Sequence, residues 1–268
     1  MAHVVLQPTP EILKVRELID QAVVGFINAR FTVPQLAKWE ADVEAMLLQS
    51  LAIRDIEAIL ELAGTDLVLL PSANVLARAV FEIALKAAWL VQPEDPYGRE
   101  VRWLAHLEED ARLNEKVAIK VSSFGGNGRA FQERGTTFRN FAQAVAAKLP
   151  PGYQKLPGNP SVESMLESIG QKQMYSVYAL LAAYVHGGHA STWLYRKHLG
   201  TAREYGEFIT PAEWYLPLWA SWSSLLFLGQ YVLERLGSKA PQFISPAQGT
   251  AIDHALSSLS SKASGNVS

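Results

Sequence analysis

Four short turns that contain proline constrain the fold of this chain more than any other feature. In each of them a residue that caps helices stands directly before proline: Thr9-Pro10, Asp95-Pro96, Thr210-Pro211 and Ser245-Pro246. Proline suits the first position of a helix because its missing N–H has no partner there, and a Ser, Thr or Asp side chain accepts from the next free N–H groups. Glu213 lies three residues after Thr210 and completes a capping box. Each pair therefore predicts a helix start.

Apolar residues at helical spacing follow these starts and fill most of the chain. We predict helices over residues 11–29, 34–49, 53–62, 72–91, 96–121, 161–169 and 171–195, a weaker one over 129–149, and two more that begin at Pro211 and Pro246. Sustained alternation of apolar and polar residues, which would indicate strands, is missing from the sequence. The predicted fold class is all-α, a multi-helix bundle of about eight to ten helices with no sheet.

The domain organisation follows from the absence of any shift in composition that would mark a linker. We predict one helical domain over residues 1–260, in which residues 72–237 form the core. An alternative separates residues 1–66 as an N-terminal subdomain. Residues 261–268 have almost nothing to bury and are predicted to be disordered. The glycines and prolines of residues 122–159 predict a flap around the weaker helix.

Charge and cysteine content exclude several classes of function. The net charge is −2 and the sequence contains no cysteine. A general basic field for nucleic acid is therefore absent, although a local patch leaves RNA open as a partner. Disulfide bonds, thiolate metal sites and cysteine nucleophiles are excluded. Because the first residues lack the order of a secretion signal, we expect a cytoplasmic protein.

One segment has the length of a membrane span. Residues 214–233 carry no formal charge over twenty positions, about the number that crosses a bilayer. Pro217, three serines and Gln230 dilute the apolar character of this segment, and charged residues flank it without a positive-inside bias. We therefore expect a helix buried in the bundle and no membrane partner.

Two apolar helices each carry one polar face. In residues 72–91 polar side chains recur every four positions, at Asn74, Arg78, Glu82 and Lys86. Such a stripe forms either a structural ion pair between Arg78 and Glu82 or the wall of a polar pocket.

The second of these helices, residues 171–195, places Tyr175, Tyr178 and His189 near one side, flanked by His186. Gly187 and Gly188 disfavour helix, and we expect them to end or kink it beside His186. The sequence thus predicts a polar pocket between the two helices. Its predicted binding residues are Arg78, Glu82, Tyr178, His186 and His189.

A family resemblance rests on the order of several short motifs. They are Arg78-x3-Glu82 in an apolar helix, Trp89, then Arg99 and Arg102 in the next helix, the segment PSVESMLESIG, and Tyr178-x5-Tyr184-Val-His-Gly. Over roughly residues 72–193 the chain resembles an uncharacterised family of bacterial all-helical domains. That family has no established reaction, so the resemblance implies a site of Arg78, Glu82 and His186 without naming a substrate.

More distantly, the chain resembles the helical nucleotide-binding and ribonuclease domains called HEPN. The ribonucleases among them carry an arginine a few residues before a histidine, and Arg99 with His106 is the one comparable pair here. This resemblance implies a metal-independent ribonuclease. In it His106 would act as general base on a ribose 2′-OH, and Arg99 would stabilise the charge that develops on phosphorus.

Metal chemistry has weaker support in the sequence. His186 and His189, three residues apart, could bind a metal with Glu82 as a third ligand, but neither HExxH nor Glu-x-x-His accompanies them. We therefore predict no metal and no cofactor.

Two hypotheses of function follow. The first is a helical binding or interaction protein in bacterial stress or defence, with an unknown ligand or protein partner and a second copy of the chain as an open alternative. The second is the HEPN-type ribonuclease, so the sequence does not decide whether the protein is an enzyme.

Overall fold

The computed structural model describes residues 5–34, 39–196 and 206–261, and within these ranges it contains ten α-helices and no strand. The predicted all-α bundle is confirmed. The helices are α1 Pro10–Arg30, α2 Glu40–Thr65, α3 Leu70–Val91, α4 Pro96–Ser123, α5 Arg129–Ala146, α6 Val162–Ser168, α7 Tyr175–Val185, α8 His189–Trp193, α9 Tyr215–Phe227 and α10 Pro246–Ser261.

All four predicted helix starts carry the expected caps. The Asp95 carboxylate accepts from the Gly98 N–H at 2.8 Å, and the Thr9 hydroxyl accepts from the Ile12 N–H at 3.5 Å. The N–H of Thr210 donates to the Glu213 carboxylate at 2.6 Å, which is the hydrogen bond that the predicted capping box requires of Glu213. Pro211–Trp214 forms a 3-10 turn that leads into α9. Ser245 caps α10 in the same way, since its N–H donates to the Gln248 side chain at 2.9 Å.

Two of the predicted helix boundaries are wrong. Residues 40–65 form one continuous helix. The Ser-Leu-Ala sequence between the two predicted segments contains neither glycine nor proline and therefore does not interrupt it. This helix begins at Glu40, where the Ala41 N–H donates to Glu100 of α4 at 3.0 Å, a tertiary cap that local sequence does not reveal. The predicted start at residue 34 is followed directly by residues 35–38, which lie outside the described residues. Of the predicted tail 261–268, residues 262–268 also lie outside them.

The predicted helix over residues 171–195 is also divided. A 3-10 turn at Lys172–Met174 precedes α7, and α8 follows after the two glycines. The weaker predicted helix is present as α5, which packs along α4 with Gly135 close to the Ala111 carbonyl. Its glycine- and proline-rich flanks lie outside regular structure.

Helix α3 lies at the centre of the bundle. It packs against α2, α6, α7 and α9, and α1 packs against α2 and α10 at one side. The indole N–H of Trp214 donates to the Leu67 carbonyl at 3.0 Å, and the rings of Phe81 and Phe227 lie 6.0 Å apart. Leu67 and Trp214 come just before α3 and α9, whereas Phe81 and Phe227 lie further along these helices. The two helices therefore run in the same direction.

The uncharged segment 214–233 is buried in this bundle as α9 and a π-helical turn, Leu228–Leu233. Among the described residues, a different helix has the length and apolar composition of a membrane span. It is Leu67–Val91, and 44% of its most apolar window is buried inside the bundle.

Candidate functional site

Arg78 of α3 joins two helices through its guanidinium group. Its Nε donates to the Glu82 carboxylate at 2.8 Å, and its Nη2 donates to the Tyr178 hydroxyl of α7 at 3.2 Å. Nη1 lies 3.1 Å from Nε2 of His186, and the guanidinium also lies 5.2 Å from the centre of the Tyr178 ring. The structure thus brings together four of the five predicted binding residues. We call Arg78, Glu82, Tyr178 and His186 the Arg78 network.

The chemistry of the guanidinium fixes the protons in this network. An arginine side chain only donates hydrogen bonds, so Nε2 of His186 accepts and the imidazole carries its proton on Nδ1. The Tyr178 oxygen also accepts, which leaves its O–H to donate elsewhere. Burial alone would lower the pKa of Arg78, but the hydrogen bond and charge of Glu82 outweigh it and hold that pKa above its usual value.

Gly187 explains how His186 reaches this position. It has a φ of +64°, a left-handed conformation that glycine adopts without strain. The Gly188 N–H donates back to the Ala183 carbonyl at 3.2 Å, the bond that closes a helix in a Schellman motif. The glycines therefore end α7, as predicted, and His186 is the residue at the cap.

His189, the fifth predicted binding residue, does not join the network. It begins α8, is exposed, and its side chain makes no hydrogen bond to any described residue. The polar stripe of α3 also divides. Asn74 is buried at 1% exposure, with neither amide atom bonded within the described ranges, whereas Lys86 faces α4.

Lys86 and His106 form the centre of a second polar cluster, between α2, α3 and α4. Nε2 of His106 lies 3.5 Å from the Lys86 ammonium and 3.7 Å from the Asp110 carboxylate. Its Nδ1 is buried and has no partner among the described residues. Burial and then the charge of Lys86 lower the pKa of His106. Burial and then Asp110 raise the pKa of the nearby Glu44.

Arg99 is occupied by structural contacts. Its guanidinium donates to both oxygens of Asp42 at 2.7 and 3.1 Å and to the carbonyls of Pro93 and Glu94 at 3.2 and 2.9 Å. The side chains of Arg99 and Asp42 are 9% and 8% exposed. This geometry gives the ribonuclease alternative no support, since the arginine that would stabilise a phosphate is already paired with a carboxylate.

Sequence reasoning missed the partners of these buried charges. Asp42 lies 57 residues from Arg99 and gave no periodic signal. Asp110 follows His106 by four residues on α4, a spacing that could have indicated their contact. Within the described ranges, no group of three or more His, Cys, Asp or Glu side chains is arranged to hold a metal ion.

A comparison with known families adds one finding. The profile of a family of unknown function, DUF5677, matches residues 48–204, which is more than half of the chain. The chain belongs to this family. The predicted resemblance to an uncharacterised family is therefore confirmed. No curated protein and no solved structure matches the sequence.

The DUF5677 region includes all the residues that the motifs singled out. It begins within α2 and covers α3 to α8, so it contains the Arg78 network, the Lys86–His106 cluster and Arg99. Helices α1, α9 and α10 lie outside it: α9 packs against α3 and α2, α1 packs against α2, and α10 packs against α1 and α9.

Proposed function

We propose that the protein is a helical interaction protein that binds a partner chain through the outer face of α7 and α8, with the Arg78 network at the polar centre of that face. The observation that carries this proposal is an exposed surface without charge. Residues 175–195 contain no Asp, Glu, Lys or Arg. Large exposed apolar surfaces of this kind are typical of interaction sites.

The exposure of individual side chains supports this interpretation. Leu180 and Trp193 are each 48% exposed, and Tyr175 is 40% exposed. In α7 the one buried residue is Leu181, although the helix is almost wholly apolar. An amphipathic helix on an ordinary protein surface would carry charged residues on its outer face. A partner that covers this face would remove its apolar side chains from water.

The Arg78 network favours binding over proton transfer. Nε2 of His186 already accepts from Arg78, so the ring nitrogen that remains is a donor and cannot act as a general base. Together with the Tyr178 O–H it offers two donors, and the second oxygen of Glu82 offers an acceptor. A polar centre with an apolar surround gives an interface its orientation and specificity.

The partner that fits this face is a second copy of the chain. A two-fold pair brings the same surface of each copy together, so the surface has to be self-complementary. Residues 175–195 carry no charge and Arg78 is paired with Glu82, so the face has no net charge and meets its copy without like-charge repulsion. The Arg78 network contains both donors and an acceptor, so each copy can satisfy the other.

Sedimentation velocity over a range of concentrations tests this proposal. We expect the parent protein to be dimeric and Leu180→Glu to be monomeric, because a charge would be buried in the pair. Leu113→Glu, on a comparably exposed leucine of α4 (56%), is the control and should remain dimeric. A monomeric parent, or a Leu180→Glu variant that still dimerises, would rule out this face as the dimer interface. Circular dichroism verifies that both variants fold.

A further inference from the structure

A cleft of about 570 Å³ lies at the far end of α3 from the Arg78 network. Its lining comes from three places in the bundle: Gln92 and Glu94 just after α3, Ser168 and Ile169 at the end of α6, and Gln230, Tyr231, Glu234 and Arg235 at the π-helical turn and directly after it. At 1.5 Å per residue, Gln92 lies about 21 Å along the helix from Arg78. This volume suits a small molecule. The cleft is thus separate from the proposed α7–α8 interface.

A π-helical turn builds one wall of the cleft. Leu228–Leu233 has the wider hydrogen bonding of a π-helix, a rare form that is found frequently at functional sites. The Tyr231 hydroxyl donates to the Ile169 carbonyl at 3.0 Å and accepts from the Gln171 side chain at 3.1 Å. The turn is thereby held against the end of α6, and Gln230 lies beside Tyr231 on the wall.

Two arginines of α4 fix the other wall. Arg99 donates to the Pro93 and Glu94 carbonyls, as described above. Arg102 donates from Nη2 to Oε1 of Gln92 at 2.8 Å. Since that amide oxygen is occupied, Gln92 keeps its two N–H donors for a ligand. Arg99 and Arg102 are therefore positioning residues for this wall.

The charges of the cleft define two subsites. Neither Glu94 nor Glu234 forms an ion pair within the described part of the chain, and both carboxylates suit an ammonium group. Arg235 lies in the same cleft, and its Nη2 donates to the backbone carbonyl of Gln92 at 3.3 Å. Its remaining donors and the Gln92 amide suit a carboxylate.

We propose that this cleft binds a free amino acid, with its carboxylate at Arg235 and Gln92 and an ammonium group at Glu94 and Glu234. Two carboxylates against one guanidinium leave the cleft with a net charge of −1. A basic amino acid matches that charge better than an acidic one. Electrostatic complementarity therefore selects lysine or arginine over glutamate.

Isothermal titration calorimetry with four probes, L-lysine, L-arginine, cadaverine and L-glutamate, tests the two subsites. L-Lysine should bind saturably. Cadaverine, which is lysine without its carboxylate, should bind about tenfold more weakly because it loses a charge-assisted contact. L-Glutamate should bind more weakly still. Absence of saturable heat with both L-lysine and L-arginine would overturn the proposal.

Variants assign the contacts. Arg235→Gln should weaken L-lysine about tenfold and should not weaken cadaverine, which has no carboxylate for Arg235 to bind. Glu234→Gln should weaken both ligands. Glu133→Gln, on exposed α5 outside the cleft, is the control and should bind both ligands as the parent does. Equal affinity for L-lysine and cadaverine, together with no effect of Arg235→Gln, would overturn the amino-acid assignment. The two Glu→Gln changes are isosteric, and all three replaced side chains are exposed, so the fold should be kept; thermal melting verifies folding.

Discussion

A single residue, Arg78, links the α3 side of the candidate site to its α7 side. Its side chain is 17% exposed and bonds to three partners, one on α3 and two at α7 and its cap. Polar contacts of a largely buried cation contribute more than those of a solvated one, because water competes less for its donors. This residue therefore holds α7 against α3 as well as shaping the polar centre of the proposed interface.

Replacement of Arg78 by methionine keeps the apolar stem and removes every donor. We expect Arg78→Met to lower the free energy of unfolding by about 1–2 kcal/mol, a figure reduced for the 40% exposure of Glu82. Urea denaturation measures the change. Arg54→Met is the matched control, since Arg54 pairs with Glu57 at 77% exposure and should change stability by less than about 0.5 kcal/mol. Equal effects of the two variants would contradict a structural role for the network.

His106 predicts a specific dependence of stability on pH. Burial and Lys86 lower its pKa in the folded chain below the ordinary 6.5, so just below pH 6.5 the unfolded chain binds more protons. The free energy of unfolding should then fall as the pH falls through this window, by up to about 1.4 kcal/mol per pH unit. His106→Leu should flatten that slope in urea denaturation series at stepped pH.

Glu44 provides the control for this pH dependence. Its raised pKa in the folded chain has the opposite sign, because the folded chain then binds a proton more readily than the unfolded chain at pH values just above 4.5. Glu44→Gln should therefore steepen the loss of stability in acid. An unchanged slope in His106→Leu would show that the buried imidazole is not the titrating group.

At the scale of the helices, Gly187 determines where α7 ends. Its φ of +64° disfavours any residue with a Cβ, although nothing lies within 4 Å of the position that a Cβ would take. Gly187→Ala should therefore cost about 1 kcal/mol through backbone strain alone. Gly158→Ala, with equal space and no left-handed backbone, is the control for urea denaturation and should not destabilise. A destabilising control would indicate a general effect of glycine replacement.

The helices and part of the site could be predicted because their signals are local. Cap and proline pairs specify helix starts within four residues, and the Gly187-Gly188 pair specified the end of α7. A pocket shared by Arg78, Glu82 and His186 was predicted from two apolar helices that each carry one polar face, although it is Arg78 that contacts His186. The π-helical turn at Leu228–Leu233 has no comparable signal in the sequence, because a π-helix differs from an α-helix in its hydrogen-bond spacing and requires no particular residue type.

The cleft could not be predicted because its charges come from distant segments. Glu94 follows α3, whereas Glu234 and Arg235 lie 140 residues later, after the π-helical turn. The partner of Arg99 was missed for the same reason, since Asp42 belongs to another helix. Sequence periodicity identifies the face of a helix that carries polar residues, but not which other helix meets it.

Burial is unevenly distributed over the whole molecule. Thirteen residues of α3 are buried, against three of α5 and one of α7. Helix α5 packs mainly along α4, whereas α3 is surrounded by five helices, α2, α4, α6, α7 and α9. Because local stability follows buried apolar contacts, the periphery should open at lower free energy than the centre.

Hydrogen exchange measured by mass spectrometry tests this gradient. We expect the amides of α3 and α2 to exchange only through global unfolding, because these two helices pack along each other more extensively than any other pair of described helices. Amides of α5 and α7 should exchange faster, through partial opening. The same data test the domain prediction. If α1 and α2 open together before α3, residues 1–66 behave as a subdomain. If α2 and α3 exchange together, the N-terminal helices belong to a single domain, as the packing of α2 on α3 leads us to expect.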